Sequence, residues 1–489
     1  MEDISGQMMR LLRCETPLGV FSLLWALAAS LHHLEAQPLA GLPLYPFAIL
    51  LWLFPEHLWA IASFAVAHTA LLCLDLPAAA NHSVLALMVN ACLLIGCVQT
   101  LRHDDPASRH RRLWESIRGP VQATVAVVYV FAVFHKLNSA FFDADVSCAT
   151  SQVAKLFELH GFSAPPTTMP VFSFTSYLTV IVEAAIVVCL LWPRLFSVGA
   201  TLGLLFHTVL GWAQFFDFAT VVLALYLFFL PWEGMQRHIN RMPRWAGACF
   251  VACLIAMCAT SFYFHSMRQS PVIFAWPEWS LQADTLICLF WTLMVWPILW
   301  PIFCRGEVRR DDHRWTGAAL AWLLPLLALG NGATSYLGLK TVANYSMFSN
   351  LRTEGGQSNH FLIPAGQFFV ADYQHDLVRL EFVDYVLPEA WPWWVRLAGG
   401  SRWADRQARW LAEAPDTRVP FAEVRRVLQL WRAIGVTHVA LVYERHGARY
   451  ETVDAFSAPD LMRPLPFWQR RLMAFRAVQD DGEASACRW

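Results

Sequence analysis

The sequence predicts a mainly α-helical membrane protein: a polytopic transmembrane bundle of about nine to eleven spans, followed by a small α/β domain. Three observations carry this. Of 489 residues, 57% are hydrophobic and only 15% charged, where a soluble domain carries about 25%. Apolar runs of about 20 residues, long enough to cross a bilayer, recur along the first two thirds of the chain. From about residue 338 these runs give way to short alternating strands and amphipathic helices. The expected organisation is therefore a transmembrane helical domain over 1–337 and an α/β domain over 338–489.

Eleven candidate spans emerge from the apolar runs: 18–34, 42–55, 57–74, 83–101, 120–136, 170–192, 195–214, 215–231, 245–264, 281–303 and 315–337. The second contains Pro43, Pro46 and Pro55 and reads as re-entrant or tilted. Residues 1–16 are too polar for a signal peptide. Arginines cluster at 102–118 (Arg102, Arg109, Arg111, Arg112, Arg118), 237–244 (Arg237, Arg241, Arg244) and 305–314 (Arg305, Arg309, Arg310, Arg314). Arg10, Arg13 and Arg194 fall on the same side when the spans alternate. The positive-inside rule makes that side cytoplasmic and sends the C-terminal domain to the outer, periplasmic face. Arginine so favoured over lysine suggests a prokaryote, and hence a bacterial cytoplasmic membrane.

Residues 137–162 mix acids with Phe141, Phe142, Val146, Val153, Leu156 and Phe157, which predicts a helix at the outer interface. It ends at Gly161 and the Pro165-Pro166 turn. Such a helix caps a cavity or merely lies on the surface. Beyond 338, FLIPAGQFFVADY and LVRLEFVDYVL have strand length, and RWADRQARWLAEA and FAEVRRVLQLWRAIG have helical period. THVALVYERHGARYETVDA reads as a hairpin. The last stretch, from MRPLPFWQRR onward, is expected to be loosely ordered.

Net charge is −1, so no polyanion or nucleic acid is implied as a partner; the expected partner is the lipid bilayer. The twelve cysteines sit mostly inside apolar runs (Cys92, Cys97, Cys249, Cys253, Cys258, Cys288) and show no metal-ligand spacing. Neither a disulfide framework nor a metal site is expected.

The stretch VVYVFAVFHKLNSAFFDAD, Val127 to Asp145, carries an apolar helix straight into His135 and Lys136. A lysine there is either a snorkelling anchor or a base. Only Lys136, Lys155 and Lys340 are lysines among 36 basic residues. Arginine would snorkel equally well, but it cannot give up its proton, whereas lysine can. Other polar groups inside spans are candidates because their burial is costly. These are His82 and its neighbour Asn81, Glu183, His207, and also His68, Asn90 and Asp217. Span alternation puts His82 and Lys136 at one depth, where a shared outward-facing pocket is expected. Glu183 and His207 lie on successive helices, as structural glue or as a proton relay. His32, His33 and His57 sit near span ends, at the interface.

VVYVFAVFHKLNSAFF resembles the signature of the vitamin K-dependent gamma-carboxylases and their relatives, the HTTM (horizontally transferred transmembrane) proteins. Asn81-His82-Ser83 resembles the Asn-His-Ser that opens an earlier helix there. LLFHTVLGWAQFFDFATVVLALYLFFLP is similar to a later helix pair, NYSMFSNLRTEGGQSNHFLIP to the crossing into the outer domain, and VALVYERHGARYETV to the next strand pair. The resemblance covers most of 75 to about 455. It implies a lyase that couples carboxylation to epoxidation of a quinone. In that chemistry Lys136 takes a proton from a reduced vitamin K or menaquinone-like naphthoquinol, which reacts with O2 to yield a stronger base. The base removes a γ-proton from a peptide glutamate, and the carbanion adds CO2. His82 matches the histidine that assists carboxylation, and the quinone pocket is expected near Tyr129 and Phe134, without a metal. The turn KLNSAFFDAD departs from the carboxylases' acidic residue followed by Asp-Trp, and nothing after the hairpin matches their long C-terminal region. The acceptor is therefore left open. Two other readings stand beside this one: a quinone epoxidase or oxidoreductase that fixes no CO2, and a non-catalytic scaffold, exporter or immunity protein.

Overall fold

In the computed structural model, the described residues are 15–36, 41–101, 106–242, 244–268, 277–304, 317–364, 366–398, 400–408, 417–478 and 487. The chain is mostly helical, and the described residues include one small antiparallel sheet of four strands. It divides into two compact units. The first takes Met1–Thr69, Leu85–Val130 and Ala149–Ala328; the second takes Ala70–Val84, Phe131–Cys148 and Leu329–Trp489.

Among the described residues, six helical stretches are long and apolar enough to cross a membrane: Leu58–Asp75, Asn81–Thr100, Ser108–Phe134, Phe174–Leu191, Pro193–Phe229 and Ala283–Cys304. A seventh arises if Trp232–Asn240 and Trp245–Ser261, bent by 87°, are counted together. Eleven were expected. The difference lies in helix length and in how successive helices join, neither of which an apolar run reports. The run at 42–55 forms only the nine-residue helix Tyr45–Leu53, and 315–337 forms the eleven-residue helix Leu323–Ala333 after a 3-10 turn. At 1.5 Å per residue the latter spans about 16 Å, roughly half a bilayer core.

The runs at 195–214 and 215–231 join in one stretch that folds back on itself. The arms Phe196–Leu210 and Phe216–Tyr226 meet at Gly211–Phe215, where Gln214 takes a φ of 70°. The reversal brings His207 and Tyr226 to the same hydroxyl, that of Tyr129. Arg118, expected in a cytoplasmic loop, instead lies buried within the helix Pro106–Phe134. Its Nε and Gln122 Nε2 donate to Phe228 O at 3.0 and 2.7 Å, satisfying a carbonyl at the end of the second arm. Arg10, Arg13, Arg102, Arg305, Arg309, Arg310 and Arg314 lie outside the described residues.

In the second unit the sheet has the order β2-β1-β3-β4: β1 Leu377–Val386, β2 Thr417–Pro420, β3 His438–Arg445 and β4 Ala448–Thr452. The expected hairpin is β3–β4, turned by His446 and Gly447, both at positive φ. Val378, Leu380, Val439 and Leu441 bury one face against the helix Phe421–Ile434, whose Val424, Val427, Leu428 and Trp431 recur at helical spacing. The described residues of FLIPAGQFFVADY form bends and turns rather than a strand, and β2 is an addition to the expected strands. The second half of RWADRQARWLAEA lies outside the described residues; the first half is the helix Ser401–Gln407. The expected interface helix is two helices, Ser139–Phe142 and Cys148–Leu159.

Residues 459–478 are more ordered than expected. They include helices Pro459–Met462 and Phe467–Leu472 and bury Phe475, Ala477 and Val478. A disulfide joins Cys148 to Cys487, 339 residues apart. This corrects the expectation that no disulfide forms: a bridge of such separation leaves no local spacing pattern to read.

Candidate active site

The helix Pro106–Phe134 ends in two tight turns, with Lys136 N bonded to Val133 O and Leu137 N to Phe134 O. Asn138 fixes the next turn of the chain. It is extended (φ −143°, ψ 159°) and caps the helix Ser139–Phe142, its Oδ1 accepting from Phe141 N at 2.9 Å. The same oxygen accepts from Asn359 Nδ2, while Asn138 Nδ2 donates to His135 O (2.8 Å) and Ser349 O (2.6 Å). The side chain is fully buried and makes four hydrogen bonds, its full capacity. Asn138 was not singled out from the sequence. An asparagine directly before a short helix is the signal that would have found it.

This anchor holds Lys136 inside the protein, 3% exposed. Its Nζ donates back to Ala132 O at 3.1 Å and lies 5.9 Å from the centre of the Phe141 ring. His135 is fully buried, its ring against Phe131 and Tyr336. Burial pushes its pKa down to about 3, against the pull of backbone groups of Tyr345 and Gly332 and with the help of the Lys136 charge. The imidazole is neutral at physiological pH.

His360 closes the aromatic cluster, its ring 4.5 Å from Phe134 and 5.5 Å from Tyr336. Its Nδ1 accepts from Leu362 N and Ile363 N, which makes Nε2 the protonated nitrogen that donates to Phe134 O at 2.9 Å. Burial lowers its pKa as well. Tyr336 Oη is buried with no hydrogen-bond partner among the described residues.

The loop after Leu329 supplies the rest. Ala343, Tyr345, Phe348 and Asn350 all take positive φ, between 50° and 67°. Non-glycine residues in this region cost of order 1–3 kcal/mol each and concentrate at functional sites. The strain is offset by polar anchors: Lys340 Nζ donates to Asn331 Oδ1 (2.5 Å) and Ala343 O (3.3 Å), and Asn331 Nδ2 donates to Ala343 O (3.0 Å). Burial lowers the Lys340 pKa to about 8. Tyr345 N donates to Asn81 Oδ1, so Asn81 holds this loop from the start of the helix Asn81–Thr100, one residue before His82. The sequence marked Lys340 only as one of three lysines and did not select Asn331, Tyr336, Tyr345 or His360. None is near Lys136 in the chain, and none continues its motif.

The remaining candidates belong to the first unit. Asn90 Oδ1 accepts from Trp25 Nε1 (3.0 Å), and its Nδ2 meets His68 Nδ1 (3.2 Å). Asp217 Oδ2 pairs with His32 Nδ1 at 2.9 Å. His33 packs on His32, and His57 on Phe54 and Trp59. His207 Nε2 is bonded to Tyr129 Oη at 2.7 Å, and Tyr129 also touches Tyr226 Oη. Glu183 is buried on the helix Pro170–Leu191. Tyr226, unmarked by any pattern in the sequence, is the new member of this group.

No family model, no curated protein and no solved structure matches the chain.

Proposed function

We propose that the protein is a membrane-embedded enzyme of the vitamin K-dependent gamma-carboxylase type, with Lys136 as the initiating base. The observation that supports it most is the position of Lys136. Its amine is buried where an apolar helix ends, turned onto a backbone carbonyl and beside a phenylalanine ring. Arginine, which this chain otherwise prefers, cannot act as a base there.

The surroundings suit a flat, oxygen-bearing lipid. Phe134 and Tyr336 offer ring faces, and Tyr336 Oη, without a hydrogen-bond partner among the described residues, could donate to a quinol oxygen. A reduced naphthoquinone, reaching the site laterally from the bilayer, would supply with O2 the strong base that the protein lacks. Lys136 Nζ takes the quinol proton. The apolar walls exclude water from the carbanion to be carboxylated, and His82 assists that second half. The acceptor to test first is a peptide glutamate. The Cys148–Cys487 disulfide supports residues 338–489 on an oxidising, periplasmic side of a bacterial cytoplasmic membrane.

The test combines the purified protein with dithionite-reduced menaquinone and O2, and measures epoxide by mass spectrometry. Wild type is expected to form epoxide, and Lys136→Ala and Lys136→Arg to lose it. Equal epoxide from all three removes the base and leaves a non-catalytic scaffold, exporter or immunity protein. Labelled bicarbonate with cell peptides then reads the second half. Epoxide without incorporated label assigns an epoxidase instead.

A further inference from the structure

The run FLIPAGQFFVA, residues 361–371, carries no charge, and Gln367 is its only polar side chain. Its described residues make turns and bends. Phe361, Leu362, Phe368 and Val370 nevertheless point outward, 59%, 65%, 49% and 66% exposed. A water-facing surface of the same unit is built differently. On β1 the exposed Phe382 and Val386 lie among Arg379, Glu381 and Asp384. Apolar exposure without interleaved charge marks a surface that meets a protein or a membrane.

The anchors of the run say which. His360 Nε2 donates to Phe134 O at 2.9 Å, and Phe134 is the last residue of the membrane-crossing stretch Ser108–Phe134. Phe361 N donates to Leu137 O at 2.9 Å, in the turn just beyond it, and the Phe361 ring stacks on Phe142. At the far end Val370 N donates to Leu337 O at 3.1 Å, just past the apolar helix Leu323–Ala333. The run is thus tied at both ends to points where apolar helices stop, which is the level of a bilayer surface.

Its backbone is also prepared for lipid. Leu362 N and Ile363 N are held by His360 Nδ1, Phe369 N by Gly366 O, and Pro364 has no N–H. With the two anchors, five amides are turned inward. A segment meant to pair with another chain would instead present its amides along an edge. Phe369 points inward as well, against His375 and against Gly338, where a Cβ would lie 2.8 Å from its ring. Irregular backbone does not enter the hydrocarbon core exposed to lipid, so the depth is set at the boundary between headgroups and acyl chains.

We propose that residues 361–371 form a membrane-dipping loop, whose Phe361, Leu362, Phe368 and Val370 side chains are covered by lipid of the adjoining leaflet. The loop adds to the spans a contact that crosses nothing, and it does not depend on the reaction at Lys136.

Photolabelling of the full chain tests it. The protein is reconstituted in vesicles of phosphatidylethanolamine and phosphatidylglycerol, doped with a phospholipid bearing a diazirine near the carbonyl end of its acyl chain, and adducts are mapped by mass spectrometry. Ile181, 64% exposed on the span Phe174–Leu191, reports correct insertion. Lipid adducts are expected on 361–371 and not on Phe382. Leu362→Asp with Phe368→Asp should abolish them while Ile181 stays labelled. Adducts on Ile181 with none on the loop overturn the proposal. So do loop adducts untouched by the double variant, or cross-links from the loop to a second copy of the chain in place of lipid.

Discussion

Two regions of the second unit bury a cation, and they handle it differently. In the sheet-bearing region Arg426, 4% exposed, sets its guanidinium against the Glu423 carboxylate, Nε to Oε2 at 2.9 Å and Nη2 to Oε1 at 2.7 Å. A full charge answers a full charge. In the strained loop the Lys340 ammonium faces an amide oxygen and a backbone carbonyl. Dipoles answer the charge only in part, and the fold pulls the proton affinity of this amine down, to about 8. Permanent charge serves where packing must be fixed. An amine among dipoles holds its proton less firmly.

The sharpest way to break the comparison is to remove one side of the ion pair. Glu423→Ala leaves Arg426 buried without its carboxylate and is expected to cost about 3–5 kcal/mol, read as a fall in melting temperature. Glu423→Leu with Arg426→Met should recover most of it. The lysine predicts a different signature. Its folded pKa lies below the ordinary 10.5, so the unfolded chain binds more protons between pH 8 and 10.5. Stability should therefore rise by roughly 3 kcal/mol across that window. Lys340→Met should flatten the rise, and a profile identical to wild type would refute the assignment.

Smaller effects sharpen the picture. Reducing the Cys148–Cys487 bridge, or Cys148→Ser, should lower stability by about 2–4 kcal/mol, measured with and without reductant. Asn138→Ala should cost about 1–2 kcal/mol as a lost cap. Because Asn138 also holds His135 O and Ser349 O, quinol epoxidation should fall further than this stability loss explains.

The apolar runs, the strand length of β1, the β3–β4 hairpin and the period of Phe421–Ile434 were all legible in order along the chain, because each is set by neighbours within a few residues. Lys136 stood out as one of only three lysines, and the structure adds that it is buried. Tertiary structure alone decided the rest. It reversed the chain at Gly211–Phe215, which united His207 with Tyr226; it bridged Cys148 to Cys487; and it brought residues 331–360 to the turn at Lys136. Those pairings depend on which surfaces meet when apolar faces are buried, and no local pattern encodes that, whether the partners lie 19 residues apart, as His207 and Tyr226 do, or 339, as the bridged cysteines do.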